Sequence, residues 1–268
     1  MKIFTQNPRA AWYKTIYVDA FAGTGYRTRP EIDSSTACLF PLEEEAIMFQ
    51  KGSAVIALET EPAFDQYLFV DLASDHVREL ELLKARYPDK AHKVRIEQQE
   101  ANKFLASWCS TTNWGKTRAV VFLDPYGGQV QWETIQAIAQ TRAIDLWVLF
   151  PVGTVVNRLL IRNKPPSGAW AARLTKMFGT EAWKDAFYRP TGQLSMFGQL
   201  DTPEKHANFE TIGQFFIERL KTVFAGVAPN PRALYNSKNI PLFLLCFAVG
   251  NPKKASMAVN IAQYILGK

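Results

Sequence analysis

Short runs of uninterrupted apolar residues recur along the chain, and most lead into a stretch with helical spacing. The runs at 16–20, 67–71, 94–97, 119–123 and 144–150 are rich in Val, Ile, Leu, Phe and Tyr and predict strands buried on both faces. Helices are predicted at 54–58 behind Gly52-Ser53, at 74–86, at 101–110 and at 132–141. In the second of these, Val77, Leu80 and the Leu82-Leu83 pair fall at helical spacing, with Ser74 as N-cap. Regular alternation of strand and helix predicts a parallel sheet covered by helices on both faces. Residues 26–51 break the rhythm with Pro30, Pro41 and Glu43-Glu44-Glu45 and read as an insertion.

After residue 151 the strand rhythm stops. Helical stretches around 153–161, 169–178, 180–187 and 203–225 are separated by Lys164-Pro165-Pro166-Ser167-Gly168 and Arg189-Pro190-Thr191-Gly192. The expected organisation is one domain over 1–268, with 152–225 a helical insertion or lid. Strand character returns at 232–237 and 242–249 around the reversal Lys238-Asn239-Ile240-Pro241, and a helix at 253–266 follows. Five parallel strands and a terminal β-hairpin are the order of the class I S-adenosylmethionine-dependent methyltransferase fold. That fold is α/β and Rossmann-like, with a seven-stranded, mostly parallel sheet holding one antiparallel strand. A dinucleotide dehydrogenase would repeat the βαβ half instead.

The predicted strands deliver unusual chemistry at their carboxyl ends, where open α/β sheets bind ligands. The first runs into Asp19-Ala20-Phe21-Ala22-Gly23-Thr24-Gly25. Its small residues let a backbone approach a ligand, and Ala22, Gly23 and Gly25 suit the amino-acid end of a nucleotide-like cofactor. Asp19 is the candidate holder of the cofactor ammonium, directly or through water. Thr28 stands where a dinucleotide fingerprint has its third glycine. The bland alternative is a tight strand-to-helix turn. Asp71 closes the second strand and can accept both hydrogen bonds of a ribose diol; as a helix N-terminal carboxylate it would instead oppose the dipole. Glu100, followed by Ala101-Asn102, can meet an adenine amine or cap its own helix.

The fourth strand ends on Asp124-Pro125-Tyr126-Gly127. Pro125 restrains the backbone of Asp124 and removes a donor. Asp124 can accept from an exocyclic amine and Tyr126 can stack on a base, which orients a nitrogen lone pair toward a sulfonium methyl. Read alone, the same residues make an ordinary Asp-Pro turn. No Gly-X-Ser-X-Gly elbow, Walker loop or paired-histidine metal motif competes with this set.

Composition narrows the picture. The 268 residues are 47% hydrophobic, enough for a substantial core. The start has no signal-peptide pattern, and the apolar run 240–249 is too short to span a bilayer. Cys38, Cys109 and Cys246 lack disulfide or metal spacing, so the expected compartment is the reducing cytoplasm and no metal is expected. His76, His92 and His206 are scattered and read as surface or helix residues. The net charge of +6 is unevenly spread. Arg158, Arg162, Lys164, Arg173, Lys176, Lys184 and Arg189 face only Glu181 and Asp185, while Lys2, Arg9, Lys14, Arg27 and Arg29 precede residue 30 with Asp19. Such patches attract phosphate backbones, and nucleic acid (RNA or DNA) is the expected partner, with no membrane. Trp170 and Trp183 lie within the basic stretch and are candidate base platforms; the other tryptophans read as core.

These residues resemble the three-Cys-motif partner proteins, a bacterial group with a methyltransferase-like fold. The resemblance rests on residues 17–25, 52–58 and 121–127 and on Ile144-Asp145-Leu146 through Phe150-Pro151. It implies a cysteine-motif protein, possibly iron–sulfur, as a second partner, and S-adenosylmethionine as cofactor. The Asp-Pro-Tyr-Gly loop is also similar to that of tRNA guanine-N2 methyltransferases and departs from the Asp-Pro-Pro-Tyr of adenine-N6 enzymes. The expected activity is methyl transfer to a base nitrogen of nucleic acid. A non-catalytic binding module for the cysteine-motif protein and a nicotinamide-dependent oxidoreductase are the alternatives.

Overall fold

The computed structural model describes residues 12–24, 52–125, 127–190 and 203–267. The predicted insertion at 26–51, most of the early basic cluster, Gly25, Tyr126 and Cys38 lie outside the described residues. The chain divides into two compact units, Met1–Phe104 with Thr112–Phe122, and Leu105–Thr111 with Leu123–Lys268.

The first unit carries β1 (Lys14–Asp19), α1 (Ser53–Glu59), β2 (Gln66–Asp71), α2 (Ser74–Arg86), β3 (Val94–Gln98), the start of α3 (Ala101–Thr111) and all but the last residue of β4 (Thr117–Leu123). Its strands run in the order β3-β2-β1-β4, all parallel. Asp19, the last residue of β1, stands opposite Phe69 on one side and Phe122 on the other, with β2 running two residues further and β4 one. One face of this sheet packs Tyr67 and Phe69 against Ala54, Val55 and Leu58 of α1 and against Leu80 and Leu83 of α2. Leu82, expected on the buried face of α2, is 55% exposed. The N-cap of α2 is Ala73 rather than Ser74. The Asp71 carboxylate already accepts the Ala73 N–H at 2.9 Å, which leaves no capping role for the serine.

The second unit holds α4 (Trp132–Gln140), β5 (Ile144–Phe150), α5 (Gly168–Phe178), α6 (Trp183–Phe187), β6 (Tyr188–Arg189), β7 (Glu204–Lys205), α7 (Phe209–Lys221), β8 (Gly226–Val227), β9 (Arg232–Tyr235), β10 (Pro241–Val249) and α8 (Ala255–Leu266). β10 lies antiparallel to β5, and β8 and β9 both pair with its other edge. The expected hairpin is therefore present as β9 and β10. The edge strand is interrupted because Pro229 and Pro231, between β8 and β9, cannot donate to a ladder. The fold is thus the expected α/β, Rossmann-like class of the methyltransferases, with a largely parallel sheet of about seven strands and one antiparallel strand.

The stretch after β5 is helical as expected, with two differences. It opens with a π-turn, Val152–Val156, rather than an α-helix, and it contains the two-residue strands β6 and β7, which pair antiparallel. These helices share a core with β5. Phe150 of β5 stacks on Phe216 of α7 at 4.0 Å between ring centroids, and Phe178, Phe187 and Phe215 extend the cluster at 5.1–5.8 Å. No helix among the described residues is long and apolar enough to cross a membrane.

Candidate cofactor and acceptor loops

At the carboxyl ends of β1 and β2 the first unit builds one connected cluster. The chain leaves β1 into a loop whose Ala22 N–H donates to the Val70 carbonyl at 3.1 Å. Gly23 follows at φ +57°, a conformation that disfavours any residue with a Cβ, and a Cβ placed there would meet no atom of the described residues within 4 Å. It is the left-handed backbone, and not any crowding among those residues, that demands a glycine. Its N–H donates to Asp71 Oδ2 at 3.0 Å. The other Asp71 oxygen accepts from Ala73 and lies 3.1 Å from His76 Nδ1. Asp71 thus ties the glycine loop to the start of α2. Its side chain is 14% exposed.

Asp19 is fully buried. Its carboxylate accepts from the Phe21 N–H at 3.3 Å and, through a short hydrogen bond, from the Ser53 hydroxyl at the first residue of α1. The loop is shaped from behind by this carboxylate. Ser53 and His76 are the residues the sequence reading missed. Ser53 sits between a glycine and an apolar run and carries no signal of its own. His76 is a partly exposed residue of α2, as expected, but its approach to Asp71 has no spacing signature in the sequence.

Glu100 stands between β3 and α3. Its carboxylate accepts from the Asn102 side chain at 2.6 Å and from the backbone N–H groups of Asn102 and Lys103 at 3.1 and 2.9 Å. Burial pushes its carboxyl upward, but the hydrogen bonds from Lys103 and Asn102 outweigh that and hold it below the ordinary glutamate range. A depressed folded-state value contributes stability that is complete above the unfolded pKa of about 4.3 and is lost as pH falls through the lower folded value. Glu100→Gln is therefore expected to cost about 1 kcal/mol at pH 7, the size of a lost cap. Urea midpoints of the two proteins should converge as pH falls below the unfolded value and through the lower folded one. A gap that persists there would show that the charge is not what the cap uses.

The candidate acceptor loop, after β4, belongs to the second unit. Asp124 is half-buried and Pro125 buried, directly after β4. Gly127 has φ +81°, and a Cβ there would approach Arg173 Nη2 to 3.3 Å and Val155 Cγ2 to 3.8 Å. At Gly128 a Cβ would come within 2.6 Å of Met177 Sδ and 3.2 Å of Val155 Cγ1. Two glycines are thus needed for two reasons: the first for its backbone, the second for the closeness of Met177. They let the loop settle on α5 and on the π-turn, a helix variant that recurs at functional sites. Beneath the loop, Pro125, Val130, Ile135, Phe150 and Phe216 leave a cavity of only about 10 Å³, hardly one water. An acceptor has no room on that side.

Of the two candidate base platforms, Trp183 is fully buried and donates to Thr175 Oγ1 at 3.0 Å, so it is a core residue. Trp170 is 49% exposed. Among the basic residues, Arg162 pairs with Glu204 at 3.2 Å and Lys184 with Glu181 at 3.0 Å. Arg158, Lys164, Arg173, Lys176 and Arg189 are exposed and make no ion pair among the described residues. Lys14 stands at the amino end of β1, remote from the loop at its other end. Cys109 and Cys246 are buried, and burial pushes the Cys109 thiol up to about 12, which suits packing rather than nucleophilic chemistry. No group of three or more potential metal ligands occurs among the described residues.

No protein-family model matches the chain, and no curated protein matches it. Solved structures do. Protein LPL1258 of Legionella pneumophila, described under the family model DUF519, aligns with 98% of this chain and 85% of its own at 11% identity and a TM-score of 0.50. The putative methyltransferase yhhF of Escherichia coli aligns with 63% of this chain and 72% of its own at 16% identity and a TM-score of 0.30. A spermidine synthase in complex with the transition-state analogue AdoDATO aligns over 94% and 66% at 10% identity and a TM-score of 0.40. Identities this low speak to fold alone, and only the first alignment is close enough to support it.

Proposed function

We propose that the protein is an S-adenosylmethionine-dependent methyltransferase acting on a base nitrogen of nucleic acid. The observation that carries the reading is the Gly23–Asp71 hydrogen bond, which joins a left-handed glycine loop to a strand-end carboxylate at the carboxyl edge of parallel strands. This is the arrangement a nucleoside cofactor requires: open backbone beside the glycine for its amino-acid end, and a fixed carboxylate for its ribose diol. Ala22 and Gly23 form the loop side of that cradle, with Gly25, two residues on in the sequence, as the further candidate. Asp19 serves it from behind, through Ser53 and the loop backbone. Glu100 offers its carboxylate to the adenine amine while retaining its cap. On the acceptor side, Asp124 takes the hydrogen bond of the exocyclic amine, Pro125 fixes the direction of approach, and Tyr126 stacks on the base.

The cofactor supplies the electrophilic methyl; the chain binds, orients and excludes water. Asp124 would orient the lone pair of the acceptor amine toward that methyl, and once the nitrogen carries it, Asp124 or water would take the amine proton. An amine inside a stacked duplex cannot reach the methyl, so the base is presented unpaired or flipped out. The exposed cations of the second unit supply the phosphate attraction that such presentation needs.

Titration calorimetry with S-adenosylmethionine tests the cofactor half. Asp71→Asn keeps an acceptor near Gly23 and removes the charge, so it should fold normally and weaken the cofactor about tenfold, the worth of a charge-assisted hydrogen bond. Affinity equal to wild type would leave Asp71 a purely structural clamp. Methyl transfer from labelled cofactor to total RNA or DNA, with and without the cysteine-motif partner, separates this reading from a non-catalytic binding module.

A further inference from the structure

The face of α5 that meets the acceptor loop continues past it. Met177 packs on Gly128, and Arg173, one turn earlier, lies against Gly127. Trp170 comes one turn earlier again, on the same face by its i, i+3 spacing, and is half-exposed. Helical side chains lean toward the helix amino terminus, so Trp170 reaches further from the loop along that line, while the Arg173 guanidinium stays at the loop beside Gly127. Trp170 has no ring contact and no N–H partner among the described residues. Arg173 is likewise exposed and pairs with no carboxylate among them.

We infer that Trp170 and Arg173 form a subsite for the nucleotide that flanks the methylated one in a single strand, with the base stacked on the indole and its phosphate on the guanidinium. This rests on the nucleic-acid reading above and adds to it the form of the substrate: an unpaired segment of at least two nucleotides, rather than a lone nucleoside. A planar ring gives sequence-tolerant stacking, because every base offers a π-face. An arginine one helical turn away supplies the phosphate contact that sets register. Gly127 and Gly128 then have a further purpose, since they let α5 approach the acceptor loop closely enough for adjoining nucleotides to span both.

The test is fluorescence anisotropy of end-labelled single-stranded 12-mers, in RNA and DNA series, with the full-length protein. Trp170→Ala should weaken binding about tenfold and Trp170→Phe should restore most of it. An abasic 12-mer should be indifferent to Trp170→Ala. Arg173→Gln should weaken binding on every oligonucleotide, the abasic one included, and reduce the slope of log affinity against log salt by about one. Comparison of the two series identifies the sugar. Unchanged affinities in both variants, or no binding of any oligonucleotide by the wild type, would overturn the subsite. Methyl transfer to nucleic acid that is undiminished in both variants would overturn it while leaving the methyltransferase reading intact. Binding that depends on both residues without any methyl transfer would uphold the subsite and remove the enzymatic reading instead.

Discussion

Gly179→Ala is expected to destabilise the protein by about 2–4 kcal/mol. Gly179 terminates α5 in the left-handed conformation, at φ +65°, and its N–H closes the helix on the Thr175 carbonyl at 2.7 Å. An alanine there meets two separate penalties. The left-handed backbone costs a residue with a Cβ about 1 kcal/mol. The added methyl would also overlap the indole of Trp132 and lie 2.7 Å from that residue's Cβ. Trp132 cannot retreat, because it is buried at the start of α4 and the Arg219 guanidinium lies over its ring at 4.6 Å while donating to the Phe178 carbonyl at 2.9 Å. Gly168→Ala, at the other end of the same helix, isolates the backbone share: φ is +58°, yet a Cβ would meet no atom of the described residues within 4 Å. It should cost only about 1 kcal/mol. Thermal melts of the two variants check the contrast, with a fall of roughly 5–12 °C for the first and about 2–4 °C for the second. Equal melting temperatures would mean that Trp132 yields and the packing argument fails.

The contrast also shows what a sequence can and cannot disclose. Both glycines look like helix punctuation in the chain, and only the tertiary neighbour separates them. The long, strongly patterned elements were legible: α2 runs over the predicted 74–86, and β5 over the predicted 144–150. Their periodicity reflects burial that each element imposes on itself. β6 and β7 were not legible, because two residues carry no period. The break between β8 and β9 was written in Pro229 and Pro231, but only the pairing of both pieces with β10 shows that they belong to one edge. Trp183 went the same way. Its basic neighbourhood suggested a base platform, whereas the indole is buried with Thr175 as its partner.

The site follows the same division. Asp19, Ala22, Gly23 and Asp71 were all marked by their position at strand ends, and the structure gathers them at one edge of the first unit. Their roles were less legible than their place. The sequence suggests that Asp19 faces a ligand, yet it is buried behind the loop because α1 returns Ser53 to it across the long insertion. A contact between residues so far apart in the chain leaves no local signal. Arg173 was visible only as one basic residue among seven; the pair of glycines after Tyr126 was the available hint that a helix comes close there.

Asp124→Ala should abolish methyl transfer in practice, with a fall in turnover of about 10²–10³, or about 3–4 kcal/mol of transition-state stabilisation. As nitrogen attacks the methyl, positive charge grows on the acceptor amine. A carboxylate hydrogen-bonded to that amine gains strength as the charge develops, so its loss appears in kcat more than in KM. Asp124→Asn still accepts a hydrogen bond but answers no charge, and should fall between the variant and the wild type. Cofactor affinity should stay within about twofold in both, since Asp71 and the glycine loop belong to the other unit. Single-turnover transfer from labelled S-adenosylmethionine, with cofactor affinity measured in parallel, checks the claim. A loss confined to cofactor binding would shift Asp124 out of the acceptor site. Full turnover in the alanine variant would leave the Asp-Pro turn as a fold element and nothing more.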